Sequence, residues 1–135
     1  YWHAVGLGRA AELRGILESL FAVGPMESSL KKIVKIDPTY HRAYFVLARL
    51  YRKAPPFISV GNKDRAYRRI QKALSMDRLE TYYLVEQGKI LSSLGKKEEA
   101  KQALSKVISL PYRSGDFRDA VRRNKEEAAD LLKDL

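Results

Sequence analysis

The side chains best suited to chemistry in this chain are cations at helical spacing. At about 100° per residue, a helix from residue 40 has one apolar side, and its opposite side carries Arg42, Phe45, Arg49, Arg52 and Lys53. The equivalent face of a helix from residue 80 carries Tyr82, Val85, Lys89, Ser92 and Ser93. Arginine offers a planar fork to a carboxylate, and lysine offers a point charge. These residues predict a basic groove for an acidic peptide or an organic acid. An ordinary solvated helix face is the alternative reading.

Residues for catalysis, metal binding or cofactor binding are sparse. The chain has no cysteine, and neither His3 nor His41 has a second ligand at helical spacing. Residues 6–11 fit the pattern G-x-G-x-x-A, but no second parallel strand follows to complete a dinucleotide fold. No nucleophile-elbow, P-loop or zincin pattern occurs. The sequence therefore predicts a non-enzymatic protein without metal or cofactor.

The net charge is +10, with 26 lysines and arginines against 16 acids. Such a balance favours acidic partners, namely a peptide, an anionic membrane or a nucleic acid, although it also serves solubility. A second basic stripe consists of Arg65, Arg68, Arg69 and Lys72. We interpret it as a solvated face, with phosphate groups of lipid or nucleic acid as the alternative. Nucleic-acid binding rests on charge alone, because no reading motif occurs.

The apolar pattern indicates helices throughout, and sustained period-two alternation is absent. Breaks at Gly24-Pro25, Asp37-Pro38 and Gly95 separate the predicted helices. Their ranges are 1–22, 25–36, 40–53, 63–76, 80–94, 97–109 and 116–134. The predicted fold class is all-α.

One pattern of large and small residues occurs twice in these helices. The first copy is Tyr44, Leu47, Ala48 and Tyr51, then Ala66, Ile70 and Ala73; the second is Leu84, Gly88 and Leu91, then Ala100, Leu104 and Val107. The pattern resembles the tetratricopeptide repeat. That resemblance implies a right-handed superhelical array of three elongated units, 1–38, 40–78 and 80–111, with a capping helix at 116–134. It also implies a single domain, 1–135, that binds proteins as a scaffold.

A narrower resemblance rests on the opening Tyr1-Trp2, the corner Asp37-Pro38-Thr39-Tyr40 and the segment from Tyr51 to Pro56. These residues resemble the repeat lipoproteins associated with TRAP-type transporters. The resemblance implies a periplasmic, membrane-associated protein, tethered upstream of Tyr1, whose partner is the transporter's solute-binding subunit. A cytoplasmic location is the alternative.

An apolar loop is predicted between two of the helices, at Pro55, Pro56, Phe57 and Ile58. Apolar loops that are not buried mark contact sites. This loop predicts an interaction segment through which a membrane-anchored domain could form homo-oligomers. In the alternative reading, Phe57 and Ile58 fold back over a helix end.

Overall fold

The computed structural model describes residues 24–54, 62–113 and 115–135, and this part of the chain is helical with no strand. The helices are α1 (24–36), α2 (His41–Lys53), α3 (Lys63–Met76), α4 (Thr81–Ser93), α5 (Lys97–Ser109) and α6 (Arg118–Lys133). The all-α prediction is confirmed, and the helix bounds differ from the predicted ones by two residues at most. The predicted helix 1–22 and the loop residues Pro55, Pro56, Phe57 and Ile58 lie outside the described residues.

Local sequence explains where the helices begin and end. Asn62 caps α3, since its side chain accepts a hydrogen bond of 3.0 Å from the backbone N–H of Arg65. Ala54 is extended after α2, as expected of a residue before proline. Gly95, with φ of 77°, makes the tight turn between α4 and α5, a conformation that glycine adopts without strain.

The connections before α2 and α4 are built alike. Asp37 Oδ1 accepts a 3.0 Å hydrogen bond from the N–H of Thr39, and Asp77 Oδ1 accepts one of 3.2 Å from the N–H of Leu79. These turns, in which an aspartate side chain binds the backbone two residues on, each lead into the first helix of a hairpin. The pair α2 and α3 therefore repeats as α4 and α5.

The helices form two layers. Within the described residues, α2 contacts α4 and α4 contacts α6, whereas α3 and α5 do not contact each other. The first helices of the hairpins are thus crowded together and the second helices are spread apart. This arrangement makes the α2, α4 and α6 side concave and the α3 and α5 side convex.

The core fills the space between the layers. Leu47, Tyr51 and Ile70 are fully buried between α2 and α3, and Leu104 and Val107 are fully buried where α5 meets α4 and α6. Gly88 of α4 approaches α5 so closely that a Cβ there would lie 2.6 Å from Leu104 Cδ2. The small residue of the repeated pattern therefore sets the spacing of this hairpin.

Candidate functional site: the concave basic groove

Two neighbouring helices bring the predicted groove residues to one side of the molecule. Arg42, Phe45, Arg49, Arg52 and Lys53 project from α2, and Tyr82 and Lys89 from α4. Arg42, Arg49, Lys53 and Tyr82 are exposed, whereas Phe45, Arg52 and Lys89 are partly buried. The seven residues divide into an aromatic end and a cationic end.

The aromatic end lies near the start of α2 and α4. The ring of Phe45 is 6.4 Å from that of Tyr82 and 5.1 Å from that of Tyr83, measured between centroids. Arg42 and Tyr82 border a cavity of about 370 Å³ together with Phe117, which is 83% exposed. Phe117 was predicted to belong to the last helix, but it precedes α6 and presents its ring to solvent.

Arg52 is not available to a ligand in the way the sequence predicted. Its guanidinium binds both carboxylate oxygens of Glu86, with Nη2 3.3 Å from Oε2, and the Glu86 side chain is only 4% exposed. Removing one partner of such a buried pair strands the other charge, at a cost of about 3–5 kcal/mol. Arg52 therefore neutralises Glu86 and braces α2 against α4.

Lys89 also has a partner in the protein. Its Nζ lies 2.5 Å from Glu127 Oε1 on α6, but the Glu127 side chain is 45% exposed. An exposed pair of this kind contributes about 0–1 kcal/mol and exchanges partners readily. Lys89 can therefore turn to a bound carboxylate at little cost.

Arg49 and Lys53 carry the positive potential of the groove. Neither forms an ion pair with any residue in the ranges 24–54, 62–113 and 115–135. The pKa of Lys53 is lowered, first by the charge of Arg49, then by burial, and then by Arg52 and Lys89. The four cations are therefore close enough to repel one another, and a bound anion would relieve that repulsion.

A cavity of about 460 Å³ adjoins this cationic end. Arg52, Lys53 and Lys89 line one side of it, while Leu131 of α6 and Asp134, which follows that helix, line the other. The hydroxyls of Ser92 and Ser93 are also on its wall, and Ser93 Oγ donates to Lys89 O. The cavity combines cations, hydroxyls and apolar surface, which is what a short acidic peptide segment requires.

One sequence prediction for this face is wrong. Val85 was assigned to the groove, but it is 4% exposed and packs in the core with Leu84 and Leu104. His41, the first residue of α2, contacts α4, because its Nδ1 lies 2.6 Å from Tyr83 Oη and the two rings meet edge to face.

Sequence reasoning missed the acids that organise the site. Glu86 is the one acid in α4, and it lies among buried positions of the helix. A single acid among apolar positions could have indicated a buried ion pair. Sequence reasoning also missed Arg113, whose guanidinium binds Asp77 at 2.9 Å and Glu80 at 3.3 Å. This arginine follows α5 and links the turn before α4 to the loop before α6, so it holds the aromatic end in place.

Metal binding and membrane insertion each require a recognisable group of residues or length of helix. Among them, no group of three or more histidine, aspartate or glutamate side chains could hold a metal ion. Across the same residues, no helix combines the length and apolar character needed to cross a bilayer.

The architecture is that of an all-α array of helical hairpins with a concave face. Residues 81–112, which comprise α4, α5 and the segment to Tyr112, match the family model of the tetratricopeptide repeat. The α2 and α3 hairpin has the same layout one unit earlier, although the match does not extend to it. No curated protein matches the chain by sequence. A repeat of this family indicates a protein-interaction scaffold.

Proposed function

We propose that this chain is a non-enzymatic interaction domain whose concave groove holds an acidic peptide segment of another protein. The observation that carries the proposal is the cationic end of the groove, where Lys53 lines the same cavity as Lys89, and neither Arg49 nor Lys53 forms an ion pair within the described ranges. The charge of Arg49 is the first cause that lowers the pKa of Lys53, so these two cations repel each other with no acid paired to either. A ligand carboxylate is the counter-charge that the groove favours.

Each groove residue has a role in this proposal. Arg49 and Lys53 bind the ligand carboxylates, and Lys89 joins them by leaving Glu127. Arg52 is a positioning residue, because its guanidinium is already bound to Glu86. Phe45 and Tyr82 supply apolar contact area at the other end, where aromatic rings commonly anchor a peptide.

We extend the proposal to a partner, the solute-binding subunit of a transporter for small organic acids, with the chain membrane-associated and extracytoplasmic. The support is the resemblance of the Asp37-Pro38-Thr39-Tyr40 corner and the Tyr51–Pro56 segment to the transporter-associated repeat lipoproteins. A net charge of +10 would also attract an acidic protein surface.

Fluorescence anisotropy with a fluorescein-labelled oligoglutamate peptide tests the groove. The variant Arg49→Glu/Lys53→Glu should weaken binding at least about tenfold, because two attractive charges become repulsive. The matched control is Arg78→Glu/Lys97→Glu, which makes the same change in net charge at two exposed positions outside the cavity.

Three results would refute the proposal. The parent chain could fail to bind the peptide, or the groove variant could bind as the parent does. Alternatively, the control variant could lose as much affinity as the groove variant, which would mean that binding depends on the net charge of the chain and not on the groove. Circular dichroism of each variant checks that the helices remain.

A further inference from the structure

The convex side carries a second cationic cavity, independent of the groove. It has a volume of about 630 Å³ and lies between α1, α2 and α3. Among the described residues, five cations and two tyrosines line it: Lys31, Arg65, Arg68, Arg69 and Lys72, with Tyr44 and Tyr51. Four of those cations form the stripe that the sequence analysis interpreted as a solvated face.

The stripe is unfavourable for the helix that carries it. Arg65 and Arg69 are four residues apart, as are Arg68 and Lys72, so both pairs face each other on α3. Like charges at this spacing cost a helix about 0.2–0.5 kcal/mol per pair. Within the three described ranges, none of the four forms an ion pair with an acid. The repulsion between these like charges is therefore not offset by an ion pair in these ranges.

The floor of the cavity is rigid. Tyr44 is 6% exposed and Tyr51 is 1% exposed. The guanidinium carbon of Arg69 lies 5.9 Å from the centre of the Tyr44 ring, which fixes that side chain in place. An ordinary solvated face has long, mobile cations, whereas here one arginine is stacked on a buried ring.

One acid, Glu27, borders this region on the side of Lys31. Its Oε1 lies 3.8 Å from Lys31 Nζ, and its carboxylate is close enough to the Tyr51 hydroxyl to affect the pKa of that group. Burial and that carboxylate raise the pKa of Tyr51, whereas Arg69 and Arg65 act to lower it. Glu27 therefore offsets Lys31, and the four α3 cations remain for a ligand.

We propose that this convex cavity binds a small, soluble polyanion that carries two or more phosphate groups. Phosphate groups suit the site because each can take forked hydrogen bonds from arginine, and closely spaced phosphates supply the several charges that four cations require. The volume lies within the range of ligand sites, about 300–1,000 Å³. A phospholipid headgroup shares this chemistry, but the lining residues in the described ranges are cations and tyrosines, with no aliphatic side chain among them to enter a bilayer beside it.

The test is isothermal titration of the 135-residue chain with sodium tripolyphosphate, and with citrate at the same ionic strength. We expect one tripolyphosphate per chain and weaker binding of citrate. The variant Arg65→Gln/Arg69→Gln should lose at least about tenfold in affinity, since glutamine keeps the length and helix propensity but not the charge. Arg122→Gln/Arg123→Gln on α6 is the matched control and should bind as the parent does.

Additional measurements distinguish a soluble polyphosphate from lipid headgroups and from nucleic acid, and they separate this cavity from the groove. Co-sedimentation compares phosphatidylglycerol vesicles with phosphatidylcholine vesicles, and a duplex DNA is titrated beside tripolyphosphate. The groove variant Arg49→Glu/Lys53→Glu should keep its affinity for tripolyphosphate, which separates this site from the proposed peptide groove. If Arg65→Gln/Arg69→Gln does not fold, Arg68→Gln/Lys72→Gln replaces it.

Several outcomes would overturn the proposal. They are no binding of tripolyphosphate, equal binding by the cavity and control variants, or citrate binding as tightly as tripolyphosphate. Binding that depends on these arginines only with vesicles would assign the site to lipid headgroups instead. Binding that depends on them only with DNA would assign it to a nucleic-acid backbone.

Discussion

The close approach of α4 and α5 predicts that Gly88→Ala destabilises the protein, although alanine favours helices. The new Cβ would lie 2.6 Å from Leu104 Cδ2 and 2.7 Å from Leu104 Cγ. Carbon atoms in contact are normally about 3.5–4.0 Å apart, so the two helices or the leucine must move by about 1 Å. Leu104 is 1% exposed, and Cγ is a branch point rather than a free end, so little room exists for that movement.

The expected magnitude is the difference between two opposing effects. Overpacking a core costs about 1–3 kcal/mol. Replacing glycine inside a helix by alanine gains about 1 kcal/mol. Because the new Cβ would clash with two atoms of Leu104, we expect a cost in the upper part of the overpacking range. The net decrease in the free energy of unfolding should then be about 1–2 kcal/mol. For a chain of this size, the midpoint of thermal unfolding should fall by about 3–6 °C.

Urea and thermal unfolding followed by circular dichroism measure this effect. Gly24→Ala is the matched control, because no atom of the described residues lies within 4 Å of a Cβ there. It should leave stability unchanged or raise it by up to about 1 kcal/mol. If Gly88→Ala proves as stable as Gly24→Ala, the close approach of α4 and α5 is wrong.

A double-mutant cycle tests the cause. Leu104→Ala alone should cost about 2–5 kcal/mol because it leaves a cavity. Combined with Gly88→Ala, the new methyl group enters that space. The double variant should then be more stable than the sum of the single effects by about 1–2 kcal/mol. If the two changes in the free energy of unfolding were strictly additive, the destabilisation by Gly88→Ala would not arise from its contact with Leu104.

Two further predictions concern single side chains. Lys125 Nζ donates to the carbonyls of Val107 at 3.0 Å and Ile108 at 2.9 Å at the end of α5. Lys125→Met should therefore lower the free energy of unfolding in urea by about 1–2 kcal/mol, whereas the control Lys101→Met, at a partly exposed position, should change it by less than about 0.5 kcal/mol. Equal losses would contradict the capping role of Lys125. Burial raises the pKa of Tyr83 from 10.0 to about 12. As the pH rises, the hydroxyl therefore ionises in the unfolded state before it ionises in the folded state. Its contribution to the free energy of unfolding is present below pH 10 and lost by about pH 12. Tyr83→Phe should therefore remove the latest step of the tyrosinate absorbance titration, and the stability advantage of the parent over this variant should shrink from pH 10 to 12; a titration unchanged by the substitution would contradict it.

The sequence predicted the elements of this fold better than their contacts. The apolar spacing identified α2 and α3 and their buried residues, because each of these helices has one clear apolar side. It failed on α4, which packs against α2, α3, α5 and α6 and therefore has little polar face left. Val85 was assigned to the groove for that reason. Helical spacing assumes that each helix has one buried side and one exposed side, and the central helix α4 lacks the exposed side.

The sequence predicted which cations share one side of α2, but not which acids they contact. Helical spacing placed Arg49, Arg52 and Lys53 on one side of α2, and the structure keeps them together. Which cation meets which acid depends on the axial shift and rotation between neighbouring helices, and periodicity within one helix does not determine either. For that reason the pairing of Arg52 with Glu86 could not be foreseen.

The central position of α4 has a consequence for how this domain comes apart. Stability in a repeat array is shared between neighbours, so a helix with partners on every side is released only when the others have left. Among the described helices, α4 should keep its amide hydrogens longest and α6, at the edge, should exchange sooner. Lys89 and Glu127 join these two helices, so the cationic end of the groove would lose one wall while its other wall remained intact. If the groove binds the proposed peptide, unfolding of α6 alone would then release it, without global unfolding.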